Sequence, residues 1–225
     1  MSFGRGLTLK KRFVVVVGNP FADTKVIKLW TNESFFTDFF NKFADMKIGV
    51  FCSANNGIDA EYFKKTEELG AWMACNGHDV VYGGCNCGLM ETIGKAVHEG
   101  GRKAIGVIPR VVEKGGRVSN SVDVNIACDN LSDRKDLILA QSDVLIALPG
   151  GIGTLDEVFT VAASRTIGYH AKTVILYNMN GFFDSLIGLL NDLQQRGMIR
   201  GKWSDYIQVA TDLEGIQRLI GRLQP

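Results

Sequence analysis

The sequence contains no long apolar run. Its longest early stretch, Phe13 to Val17, falls well short of the roughly 18 residues that a membrane span needs. It is also too short for the core of a secretory signal, and no cleavage-like site follows it. Net charge is nearly absent: 25 basic and 24 acidic side chains leave +1, so there is no global electrostatic case for nucleic acid or a membrane surface as partner. Five cysteines, an odd number scattered through apolar and loop segments, do not make a secreted disulfide framework and point to a reducing cytoplasm. The three histidines, His78, His98 and His170, stand apart from one another. Cys85-Asn86-Cys87 lacks the C-x-x-C spacing and a second ligand pair, so the cysteines read as small buried fillers rather than metal ligands.

What is present is 46% hydrophobic and 22% charged over 225 residues, enough for one substantial domain with a real core. From Met46 onward, short β-branched runs alternate with helical segments. Strands are predicted at Lys47–Ser53, Asp79–Tyr82, Ala104–Ile108, Val122–Ala127, Asp143–Leu148, Thr173–Tyr177 and Tyr206–Ala210. Helices are predicted after Asp59, after the Gly83–Gly88 loop to about Glu99, and at Leu131–Gln141. Three more are predicted from about Thr154 to Gly168, from about Phe182 to Arg196, and at Leu213–Leu223. This alternation implies an α/β, Rossmann-like, doubly wound fold with a mostly parallel sheet covered on both faces. Residues 1–45 do not follow the rhythm. Thr8–Val17 suggests a strand with Gly18-Asn19-Pro20 as a turn, and five phenylalanines between Phe35 and Phe43 recur at helical spacing. This segment is either an accessory strand and helix or an extension ahead of an alternative start at Met46. The Rossmann-like domain is therefore expected over 46–225.

In open parallel sheets, ligands bind beyond the carboxyl ends of the strands. Four unusual loops fall there: Ser53–Gly57, Gly83–Gly88, Pro109-Arg110 and Pro149–Thr154. The last, P-G-G-I-G-T-L-D-E, feeds directly into a helix. Gly150, Gly151 and Gly153 permit close backbone approach, and Thr154 adds a hydroxyl, which together make an anion site at a helix N-terminus. Neither a Walker A ending nor G-x-G-x-x-G is present. Thr154-x-x-Glu157 also fits a capping box, in which Glu157 would only bond back to the Thr154 backbone. With Ser132 or Asp133 as cap, Arg134 and Lys135 fall in the first turn of a helix, where the dipole disfavours cations. That placement suggests a nearby anion, although a pair of solvated surface charges also fits.

These residues resemble the Lonely Guy family of nucleotide phosphoribohydrolases, whose members often carried the label "lysine decarboxylase-like". The resemblance rests on V-F-C-S at Val50–Ser53, V-Y-G-G and G-L-M within Val81–Met90, and I-G-V-I-P at Ile105–Pro109. It continues through Arg134-Lys135, S-D-V-L-I-A-L-P-G-G-I-G-T-L-D-E at Ser142–Glu157, and G-Y-H-A-K at Gly168–Lys172. It implies hydrolysis of cytokinin riboside monophosphates, or of AMP, to free base and ribose 5-phosphate. It places the catalytic pair on Arg134 and Glu157, and the phosphate loop on Gly150, Gly151, Gly153 and Thr154. Ser53, Gly83, Gly84 and Lys135 are further substrate-binding candidates. It also implies a homodimer and no metal or redox cofactor. This chain departs from the family pattern at Ser53-Ala54-Asn55-Asn56, at Cys85, at Leu131-Ser132-Asp133 and at Asp156.

In the mechanism this suggests, Glu157 orients or deprotonates water and stabilises an oxocarbenium-like ribose. Arg134 positions the nucleotide or the departing group, and Asp156 is expected to point away from Glu157. The competing reading is a nucleotide or molybdenum-cofactor carrier without turnover. A true lysine decarboxylase would need a pyridoxal-phosphate lysine, and Lys135 and Lys172 read better as charges near the site or at the surface.

Overall fold

The computed structural model describes residues 11–17, 25–31 and 45–223. It divides into two units, one spanning Met1–Ala44 and the other Asp45–Pro225. In the first, β1 (Lys11–Val17) pairs antiparallel with β2 (Lys25–Thr31). The first of these strands was expected; the second was not. The predicted Gly18-Asn19-Pro20 turn and the phenylalanine-rich helix lie outside the described residues.

The second unit holds seven parallel strands: β3 (Lys47–Phe51), β4 (Asp79–Tyr82), β5 (Ala104–Pro109), β6 (Val124–Cys128), β7 (Val144–Ala147), β8 (Val174–Tyr177) and β9 (Ile207–Ala210). Their order across the sheet is β6-β5-β4-β3-β7-β8-β9, with every neighbouring pair parallel. Helices alternate with them: α1 (Ala60–Cys75), α2 (Gly88–Glu99), the short α3 (Arg110–Lys114), α4 (Leu131–Gln141), α5 (Ile152–Thr166), α6 (Asp184–Gln195) and α7 (Leu213–Leu223). This is the expected Rossmann-like α/β architecture. The chain winds outward from β3 to β6, then returns to β7 and winds the other way. The switch point lies between β3 and β7, where α/β sheets open a crevice at their carboxyl edge.

The strands are apolar because both faces are covered, and the period of two assigns each side chain to a layer. Ile48, Val50, Val144 and Ile146 face one way, against Leu69 and Met73 of α1, Ile93 of α2 and Ile216 of α7. Phe51, Leu145 and Ala147 face the other, against Ile138 of α4, Val158 and Val161 of α5, and Leu190 of α6. Among the described residues, no helix is long and apolar enough to cross a membrane.

Candidate active site

The first loop and the glycine loop after β4 serve each other. Asn56 Oδ1 accepts the Gly88 N–H at 2.7 Å, and the Ser53 carbonyl accepts the Leu89 N–H at 2.9 Å. The N-terminus of α2 is thereby closed by protein. Gly88 is required there: its φ is +58°, and a Cβ would lie 2.6 Å from the backbone of Ala54 and Asn55. The helix after Pro149 differs. α5 starts at Ile152 with Gly151 as its N-cap, and no side chain caps it. Its open first turn and positive dipole end face the cleft, as an anion site requires.

This start corrects the capping-box alternative. The helix begins two residues before Thr154, so Thr154 is its third residue and cannot be the cap. Glu157 turns instead to α4, where Arg134 Nη2 donates to its Oε1 at 3.1 Å. Both side chains are nearly buried, 14% and 9% exposed. The cap of α4 is also corrected. It is Asn130, whose Oδ1 accepts the N–H groups of Ser132 and Asp133 at 2.8 and 3.0 Å. Arg134 is therefore the fourth helical residue, just beyond the three amides that need a cap.

One residue along, Lys135 Nζ donates to both carboxylate oxygens of Asp156, at 2.9 and 2.8 Å. Asp156 was expected to turn away from Glu157. Instead both line the same cleft, because successive helical residues diverge by only about 100°. Two ion pairs thus brace the N-terminal turns of α4 and α5. Burial pushes the Glu157 carboxyl up to about 7; the Asp156 charge adds to this, while Arg134 and Lys135 oppose it. A carboxyl with that value exchanges protons near neutrality, as a general base must. Cys52, at the end of β3, forms part of the wall. Burial first, then Glu157, drives its thiol far upward, so it stays protonated.

The cleft has a volume of about 530 Å³, in the usual range for a small-molecule site. Of the predicted residues it gathers Ser53, Arg134, Lys135, Gly151, Gly153, Thr154 and Glu157. It does not gather Gly83, Gly84 or Gly150. Gly84, at φ +67°, packs on Ile108 and Gly106, and a methyl on Gly150 would collide with the Thr154 side chain. The Pro109-Arg110 loop, expected on the same edge, is carried elsewhere by α3. Arg110 pairs with Asp129 at 2.9 Å beside a separate depression. Asn55, in the expected Ser53–Gly57 loop, also lines the cleft, as do three residues outside the expected set: Asp156 and the apolar Met90 and Leu131. The G-L-M after the glycine loop was the available signal for Met90. Lys172 is committed to the Leu139 carbonyl at 2.6 Å.

The molecule is thus a Rossmann-like α/β protein whose switch-point cleft carries an uncapped helix N-terminus and a buried acid–arginine pair. Residues 90–220 match the family model described as "Possible lysine decarboxylase". A cytokinin riboside 5'-monophosphate phosphoribohydrolase of Arabidopsis thaliana is 36% identical over 68% of this chain and 71% of its own length. A second from the same plant is 32% identical over 80% of this chain and 82% of its own. The chain belongs to this family, the Lonely Guy phosphoribohydrolases. Solved structures share the fold. The molybdenum cofactor binding protein of Rippkaea orientalis superposes with a TM-score of 0.62 at 24% identity, over 80% of this chain and 98% of that one. The molybdenum cofactor carrier protein of Chlamydomonas reinhardtii gives the same values.

Proposed function

We propose that this protein hydrolyses the N-glycosidic bond of a nucleoside 5′-monophosphate, a cytokinin riboside monophosphate or AMP. The products are the free base and ribose 5-phosphate. The observation that carries this reading is the near-buried Arg134–Glu157 pair, 3.1 Å apart, beside the open N-terminus of α5. The phosphate sits at the amides of Ile152, Gly153 and Thr154. Hydrogen bonds to a charged group contribute about 1.5–3 kcal/mol each, so the backbone alone can anchor it. That binding energy, remote from the reacting bond, holds the sugar over Glu157.

Glu157 takes a proton from water as the oxygen attacks the anomeric carbon. The C1′–O bond forms while the C1′–N bond breaks; the base leaves with the bonding electron pair and takes a proton from solvent, and Glu157 returns the proton it took from water to solvent. Positive charge gathers on the ribose at the transition state, where the Glu157 carboxylate stabilises it. Arg134, with Nε buried and unpartnered and one Nη on Glu157, has donors to spare for the substrate. In this reading the enzyme acts in the cytoplasm as a homodimer.

The test is a panel of nucleoside monophosphates, each paired with its unphosphorylated nucleoside. Release of base from the monophosphates alone supports the reading and ranks the bases. Tight binding without release would support the carrier alternative, for which the shared fold is the only argument.

A further inference from the structure

Gly83 lies outside the cleft wall yet directly beneath its arginine. A Cβ built on Gly83 would stand 2.7 Å from Arg134 Nη2, 3.1 Å from Arg134 Cζ and 3.0 Å from Met90 Sδ. Its neighbours Gly84 and Gly88 have positive φ, +67° and +58°, which explains glycine at those positions by backbone alone. Gly83 has no such conformation. Alanine would fit its backbone, and what it would disturb is the guanidinium first and the Met90 sulfur second. The Arg134 head is fixed by few contacts: one hydrogen bond at 3.1 Å to Glu157, with Nε buried and unpartnered. Its position therefore depends on the surface it rests on.

We propose that Gly83 is a positioning residue, kept without a side chain so that the Arg134 guanidinium can occupy the space beside it and stay within reach of Glu157. Gly83 touches no substrate in this account and acts only through Arg134. The role rests on the reading of Arg134 and Glu157 as the reacting pair. A methyl group at this position displaces the guanidinium from the place at which Nη2 reaches the carboxylate. Glu157 then loses part of the field that lowers its proton affinity, while Asp156 on its own helix, Lys135 on α4 and Cys52 at the end of β3 keep theirs.

The experiment is a double-mutant cycle of Gly83→Ala and Arg134→Ala, read by turnover and by NMR titration of the Glu157 carboxyl in ligand-free protein. Gly83→Ala should lower kcat by about tenfold to a hundredfold, the range a misplacement of about 1 Å can cost. KM should change little, and the Glu157 titration should move upward. In the Arg134→Ala background the same substitution should cost little further and leave the titration where it is, because the guanidinium is gone and only the uncharged, flexible end of Met90 remains to give way. Equal losses in both backgrounds, an unmoved titration, or loss of folding by circular dichroism would each overturn the positioning role. If the wild type releases no base from any nucleotide, the proposed function fails, and the titration arm still decides the role of Gly83.

Discussion

Lys135 Nζ is held by both carboxylate oxygens of Asp156, at 2.9 and 2.8 Å, so this cation of the cleft is already matched by an anion. Asp156 is 53% exposed and faces the cleft. Replacing Lys135 with Met would leave that carboxylate unopposed in the cleft proposed to take the phosphate. We expect KM to rise about tenfold, the equivalent of roughly 1.4 kcal/mol, with a smaller change in kcat. The double variant Lys135→Met with Asp156→Asn should recover most of the lost affinity. A double variant as weak as the single one would mean that Lys135 contacts the phosphate itself.

Glu157→Gln keeps the side-chain volume and an acceptor for Arg134 but removes the base. Turnover should fall by about a hundredfold to ten-thousandfold, with nucleotide affinity, measured by calorimetry, within a few-fold of wild type. Retained turnover alongside lost binding would mean that Glu157 serves to hold the site together.

The pH dependence follows from the raised Glu157 carboxyl. As a base it must be ionised, so kcat/KM should fall with unit slope as pH drops below about 7. The stability effect has the opposite sense. Between the ordinary value of 4.5 and about 7, the folded protein holds the Glu157 proton and the unfolded chain does not. The contribution is present below pH 4.5 and is lost as pH rises through 7. Relative to wild type, Glu157→Gln should gain on the order of 3 kcal/mol between pH 5 and pH 8. Denaturant titrations at the two pH values check this, and a difference that does not change with pH would contradict it.

The open first turn of α5 predicts a trade between stability and function. A side chain at Gly153 meets nothing within 4 Å, so Gly153→Asp is sterically free. A carboxylate there complements the helix dipole and should raise stability by about 0.3–1 kcal/mol, seen as a higher melting temperature. The same charge occupies the anion site, and KM for a nucleoside monophosphate should rise steeply. An unchanged KM would move the phosphate off this helix.

Much of this was legible in the sequence. The alternation of strands and helices places α4 at Leu131–Gln141 and α7 at Leu213–Leu223 with the observed ends, and all seven parallel strands fall within a residue or two of their predicted bounds. Cap assignments were harder. Asn130, Ser132 and Asp133 are all good caps, and only the backbone shows that Asn130 turns its side chain onto the next two amides. The start of α5 was placed two residues late because G-I-G has poor helix propensity, which the adjacent strand and loop override. β2, with K-V-I-K-L-W-T, was missed although it alternates. Arg110 was drawn to the cleft by strand order alone, since nothing in the sequence announced the single helical stretch of α3 that carries it away. Gly83, Gly84 and Gly88 look alike in sequence, and only coordinates separate the two that serve the backbone from the one that lies beneath an arginine.

The most direct test of the central claim is the stoichiometry of products. Purified protein is incubated with a cytokinin riboside monophosphate and, separately, with AMP, and free base and ribose 5-phosphate are both quantified. Equimolar base and sugar phosphate from the wild type, with neither from Glu157→Gln, is the predicted result. Nucleotide recovered intact from both substrates, or products undiminished in Glu157→Gln, would contradict it.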